Sequence, residues 1–305
     1  VADGGLVAIR FALYADLMLL VGLAAFPLYS FTFSEREDGA IPPLSGKLFW
    51  LALAALPLSA AGFAISSAAM MGVAITALDV STLASMASHT DQGVAFLVRM
   101  AALVATLAAL VLLRPSQTPR YAAAMVGGSI ALATLIWSGH AAATEGALGV
   151  AHRISDIAHM IAAALWIGGI VAFCLLLARP AQGDAHVTLA SRSLADFARV
   201  GTVAVSIIAL TGLFNGYAIW GADIAILFQS TYGLLMAAKL VLFATMLSLA
   251  ANNRWRLTPA LERAAASDHS EGARTRLRIS VALEAAAGAA VLALVAWLGT
   301  LAPAI

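Results

Sequence analysis

The chain has 305 residues, 62% of them hydrophobic and only 11% charged, with a mean hydropathy of +0.94 and a formal net charge of +1. An average soluble domain is about 25% charged, so a chain this apolar cannot hide its surface in one water-soluble core. The charge balance leaves no basic tract for nucleic acid, and a single cysteine, Cys174, excludes a disulfide framework or a multi-cysteine metal cluster.

Long apolar runs between short charged loops predict an all-α fold, a polytopic helical bundle in the lipid bilayer. A hydrocarbon core of ~30 Å needs about 20 residues of helix. On that ruler the runs give eight spans, near 7–32, 46–71, 93–113, 120–139, 153–178, 196–219, 230–251 and 277–301. The first is too long for a signal-peptide core and is read as a span. Residues 72–92 are less apolar, with Asp79, Met86, His89 and Asp91, and are read as an outer surface or re-entrant segment opening at "DVSTLASMASH". The whole chain, 1–305, is taken as one integral membrane domain. No loop has the glycine spacing of an ATP phosphate cradle: the nearest, Gly39 to Lys47, is followed by Leu48.

Loop charge sets the direction. Arg36 and Lys47 lie between spans one and two, Arg114 and Arg120 between three and four, and Arg179 and Arg192 between five and six. Arg254, Arg256, Arg263, Arg274, Arg276 and Arg278 crowd the last connection. Every alternate loop is basic, which predicts that both termini face outward.

Span five, "VAHRISDIAHMIAAALWIGG", carries polar groups that lipid penalises. At 100° per residue, His152, Asp156 and His159 share one stripe, continued by Trp166. Arg153 points elsewhere and can snorkel. His140, in "WSGHAAA", closes span four on the same outer side, so three histidines can converge at one opening. Imidazoles without thiolate suit copper, zinc or iron, and Met70, Met71 and Met86 around the segment ending at His89 add thioethers that favour Cu(I). Single histidines and methionines at such places are often mere interfacial or packing residues; the cluster is what gives them weight. Deeper in the apolar runs lie Asp16, Arg99, Lys239 and Glu284, two charges of each sign, expected to neutralise one another as an intramembrane ion network. Lys239 and Glu284 in particular are expected within reach of each other.

These stretches resemble the copper resistance protein D (CopD) family of bacterial membrane proteins. "SDIAHMIAAALWIGG" looks like its histidine-then-Trp-x-Gly-Gly span, and "SGHAAA" fits its histidine at the end of the fourth span. "STYGLLMAAKLVLFATMLSLAANNR" and "RLRISVALEAAAGAAVLALVAWLGTLAP" resemble its last two spans. The resemblance implies a non-enzymatic, multi-pass inner-membrane protein that binds a copper ion, Cu(I) or Cu(II). It would take copper from a periplasmic CopC-type copper-binding protein at His140, His152 and His159 and move it inward. Asp156, Trp166, His89, Met70, Met71 and Met86 then support the ligands or line the access. Two rivals stay open: a b-type cytochrome with one outer-side haem, and a metal-free membrane scaffold.

Overall fold

A computed structural model describes residues 4–37, 44–114, 116–138, 146–178, 183–221, 230–265 and 270–301. They form eleven α-helices and, among the described residues, no strand. Eight helical segments are long and apolar enough to cross a membrane: Gly4–Ser30, Ser45–Met71, Asp91–Leu112, Gln117–Trp137, Gly146–Leu177, Arg192–Ile219, Thr231–Leu261 and Glu271–Leu298. We number the helices α1 (Gly4–Ser30), α2 (Phe33–Glu37), α3 (Ser45–Met71), α4 (Val80–His89), α5 (Asp91–Leu112), α6 (Gln117–Ala133), α7 (Gly146–Leu177), α8 (Gly183–Trp220), α9 (Thr231–Asn252), α10 (Thr258–Ala265) and α11 (Ser270–Leu298).

The less apolar 72–92 segment is the short helix α4. Gly72, at φ +68°, ends α3 in the left-handed conformation that suits glycine. Asp79 then starts α4 by accepting from Thr82 N–H at 2.7 Å, and Thr90 starts α5 by accepting from Gly93 N–H at 2.9 Å. On the opposite side of the bundle, helices extend past the apolar runs: α8 begins at Gly183, α11 at Ser270, and α9 continues through a π turn, Asn253–Leu257, into α10. Apolar runs understate these helices because long basic side chains let a helix leave the hydrocarbon without ending.

Helices α1 and α7 form the centre. Leu17, Leu20, Val21 and Ala24 of α1 and Ala164 of α7 are fully buried together. The two backbones touch at Gly22 and Gly168: a Cβ on Gly22 would lie 2.5 Å from the Gly168 Cα and would collide with the Ala164 carbonyl. Lipid offers no hydrophobic drive for helices to associate, so close van der Waals approach through small residues supplies it. Gly169 faces the other way, onto Phe197 of α8 and Tyr29 of α1. The Trp-x-Gly-Gly stretch is therefore where α7 is wedged between two helices. Through Phe173 and Ile170, α7 also belongs to a second apolar cluster with α8, α9 and α11.

At the end opposite the N-terminus, polar contacts tie three loops together. Arg36 caps the C-terminus of α1, donating to the carbonyls of Pro27, Leu28 and Phe31, and reaches Thr118 at 3.0 Å. Glu35 pairs with Arg192 at 2.6 Å. Glu37 caps α6, accepting from the N–H groups of Gln117 (2.8 Å) and Thr118 (2.9 Å) and from the Ser116 and Thr118 hydroxyls. Burial alone would raise the Glu37 carboxyl, but these hydrogen bonds outweigh it and hold it at about 2 instead of 4.5. A depressed carboxylate stabilises the fold fully above its unfolded value and loses that contribution as pH falls through the folded one. Glu37→Gln is therefore expected to cost about 1 kcal/mol at neutral pH, as loss of a helix cap does. It should also flatten the fall of Tm between pH 4.5 and 2, measured by thermal denaturation in detergent. An unchanged acid limb would show that the cap adds nothing.

Candidate functional site

The polar stripe of α7 meets α8 and α9. His152 is buried, at 2% exposure, and His159 sits two turns deeper, half-buried. The His159 Nδ1 lies 3.0 Å from the Thr211 hydroxyl of α8. That hydroxyl also lies 2.5 Å from the Ile207 carbonyl, to which it can donate. The Thr211 contact at Nδ1 holds the orientation of the ring. Gly212, one residue on, makes room: a Cβ there would rest 3.4 Å from the His159 ring. One turn further along α8, the Asn215 side-chain amide donates to Asp156 at 3.3 Å. From α9, the charge of Lys239 acts on both Asp156 and His159, and Tyr232 is coupled to Asp156. The chemistry at this end is thus an imidazole held by a hydroxyl beside a carboxylate and an ammonium, between three helices.

Thr211 and Asn215 were not picked out from the sequence. Their signal was a Thr and an Asn four residues apart on one face of an otherwise apolar run, "ALTGLFNGYAIW". His140 lies outside the described residues. Among the described residues no group of three or more His, Cys, Asp and Glu is placed to hold a metal.

Trp166 and Glu284 form a second polar site, nearer the other end of α7. The Trp166 indole is coupled to the Glu284 carboxyl and stacks edge-on against Phe243 at 5.8 Å. Glu284, 2% exposed, accepts from the buried Asn253 amide at 3.0 Å. Asn253 opens the π turn after α9, a distortion frequent at functional sites. Cys174, a free half-buried thiol two turns beyond Trp166, also feels the Glu284 charge.

The four deep charges do not form one network. Among the described residues the salt bridges are Arg192–Glu35 and Arg199–Asp196, neither of which involves Asp16, Arg99, Lys239 or Glu284. Lys239 faces Asp156, whereas Glu284 bonds Asn253, 14 residues or about 21 Å further along the α9 axis. The expected Lys239–Glu284 contact is therefore not made. Equal depth was inferred from apolar runs whose inner ends fall short of the helices. Asp16 is buried in α1 with its Oδ2 unpartnered, and Arg99 opens toward a different helix pair.

His89 closes α4, its Nδ1 3.0 Å from the Ser85 carbonyl, exposed to solvent as are Met70 and Met71 at the end of α3. Met86 is half-buried. They share an end of the bundle with His152, but α4 packs on α5 and α3, while α7 packs on α1, α8, α11 and α6.

Comparison with known proteins bears on this arrangement. The family model described as "Copper resistance protein D-like, N-terminal domain" matches residues 1–150, and that described as "Copper resistance protein D" matches 191–298. Over 301 residues, 97% of this chain and 96% of the relative, the sequence is 42% identical to Copper resistance protein D of Pseudomonas syringae pv. tomato. The chain belongs to the copper resistance protein D family. Inner membrane protein YebZ of Escherichia coli is 27% identical over 97% of this chain and 98% of its own. Copper transport protein CutJ of Bacillus subtilis is 34% identical over 38% of this chain and 20% of the relative. No solved structure matches. With eight apolar spans, this copper resistance protein D relative is a multi-pass inner-membrane protein of copper handling.

Proposed function

We propose that this single membrane domain accepts copper at its outer end and moves it toward the cytoplasm, with no chemical conversion of a substrate. The ligands are His140, His152 and His159, with Asp156 and Asn215 orienting the polar wall beside His159. The donor is a periplasmic CopC-type copper-binding protein, and the basic loops gathered at the opposite end face the cytoplasm by the positive-inside rule. The observation that carries this reading is the His159 imidazole, held at Nδ1 by the Thr211 hydroxyl and close to the Lys239 charge that also acts on Asp156. Imidazole of this kind suits Cu(I) and Cu(II) alike.

Copper analysis of the purified protein tests it. Wild type is expected to retain stoichiometric copper after dialysis and to show no Soret band. Asp156→Asn is expected to weaken copper binding about 10–100-fold without abolishing it, the usual effect of losing a group that orients a ligand. Absence of bound copper in wild type, or a haem spectrum, would remove the copper assignment.

A further inference from the structure

Arg99 has no partner that its position in the membrane requires. It sits nine residues into α5, 6% exposed, with its Nε bonded to nothing. A guanidinium does not shed its proton in a protein, and a buried cation without an anion is costly in hydrocarbon. The nearest intramembrane carboxylate by sequence depth, Asp16, does not serve. The residues of α1 that line the space beside Arg99 are Leu6, Ile9, Arg10, Leu13 and Tyr14; Asp16 lies further along the helix, does not border that space, and neither charge acts on the other.

What Arg99 does face is a cavity of about 40 Å³ between the first half of α1, the second half of α3 and the first half of α5. Its polar wall is Arg10, Tyr14, Ser59, Ser66, Gln92 and Arg99. The Gln92 amide already donates to Ser66 at 2.5 Å, and Ser66 donates to the Phe63 carbonyl. Ser59, fully buried, has a hydroxyl with no partner. While Arg10 turns its guanidinium to Gly299, the Arg99 guanidinium and a spare hydroxyl thus share one space with no carboxylate in its wall. At roughly 10–15 Å³ for each water-sized occupant, it has room for about three waters or one small polyatomic ion.

We propose that this cavity is an oxyanion site that takes a single phosphate group, with the Arg99 guanidinium as its principal ligand and the Ser59 hydroxyl as a second donor. The planar fork of arginine matches two oxygens of phosphate, which a halide cannot reproduce. The group comes either from inorganic phosphate or from a phospholipid headgroup inserted from the membrane interface; the space excludes a whole lipid head. The site is distinct from the polar stripe of α7 and stands independently of the copper reading.

The test is thermal denaturation of the full-length, delipidated protein in detergent. One arm titrates inorganic phosphate against chloride of matched ionic strength; the other titrates a short-chain phosphatidylglycerol. Wild type is expected to show a saturable rise in Tm with one of the two phosphate sources, which identifies it, and none with chloride. Arg99→Gln is expected to lose that rise and, without ligand, to melt no lower than wild type, because it removes an unpaired buried charge. Ser59→Ala keeps the charge and should weaken the apparent affinity several-fold, which keeps the test valid if Arg99→Gln does not fold. A wild type that responds to neither source, a response equal to that with chloride, or an undiminished response in both variants overturns the proposal.

Discussion

Gly168→Leu is expected to prevent assembly of the bundle. Its side chain would point at the backbone of α1: a Cβ on Gly168 already meets the Gly22 carbonyl carbon at 2.7 Å and the Leu23 nitrogen at 3.0 Å. Inserting carbon into a packed core costs about 1–3 kcal/mol when neighbouring side chains can shift. Here the obstacle is main chain inside two central helices, so accommodation requires α1 and α7 to separate, with loss of the fully buried layer of Leu17, Leu20, Val21 and Ala164. The same separation would release Gly169 from Tyr29 of α1. Gly46→Leu, where a Cβ would meet nothing within 4 Å, is the control and should purify like wild type. Monodisperse Gly168→Leu with an unchanged Tm would show that the helix contact is not there.

His159→Ala is expected to remove most bound copper while leaving the protein folded. The side chain is half-buried and packs on Gly212, so its loss leaves a small space beside a glycine and one unpaired hydroxyl, Thr211, which still donates to Ile207. Stability should therefore fall by no more than about 1–3 kcal/mol, the range for stranding a buried polar partner. The companion variant Thr211→Val separates ligand from scaffold. It keeps the imidazole but frees its rotation, and should cost about 10–100-fold in copper affinity. Equilibrium dialysis with metal analysis reads both, beside a melting curve for each. Unchanged copper stoichiometry in His159→Ala would exclude the residue as a ligand, and wild-type affinity in Thr211→Val would exclude the positioning role.

The eight spans could be read from the chain because the free energy of placing a helix in lipid is a sum over its own residues, and about 20 of them settle it. The same local logic marked α4, whose Asp79 cap and Gly72 stop signal are both written within a few residues. The His152–Asp156–His159 stripe was equally legible, since helical periodicity alone aligns it. Partners across helices were not. Each buried charge had to face protein, but several opposite charges lay at similar apparent depth, and only the rotation and neighbourhood of each helix chose among them. That choice gave Lys239 to Asp156 and Glu284 to Asn253, and it left Arg99 to a cavity. It also turned Thr211 and Asn215 of α8 toward α7. Those rotations follow from close backbone contacts such as Gly22 with Gly168, and a contact between residues 146 apart leaves no trace in the hydropathy of either helix.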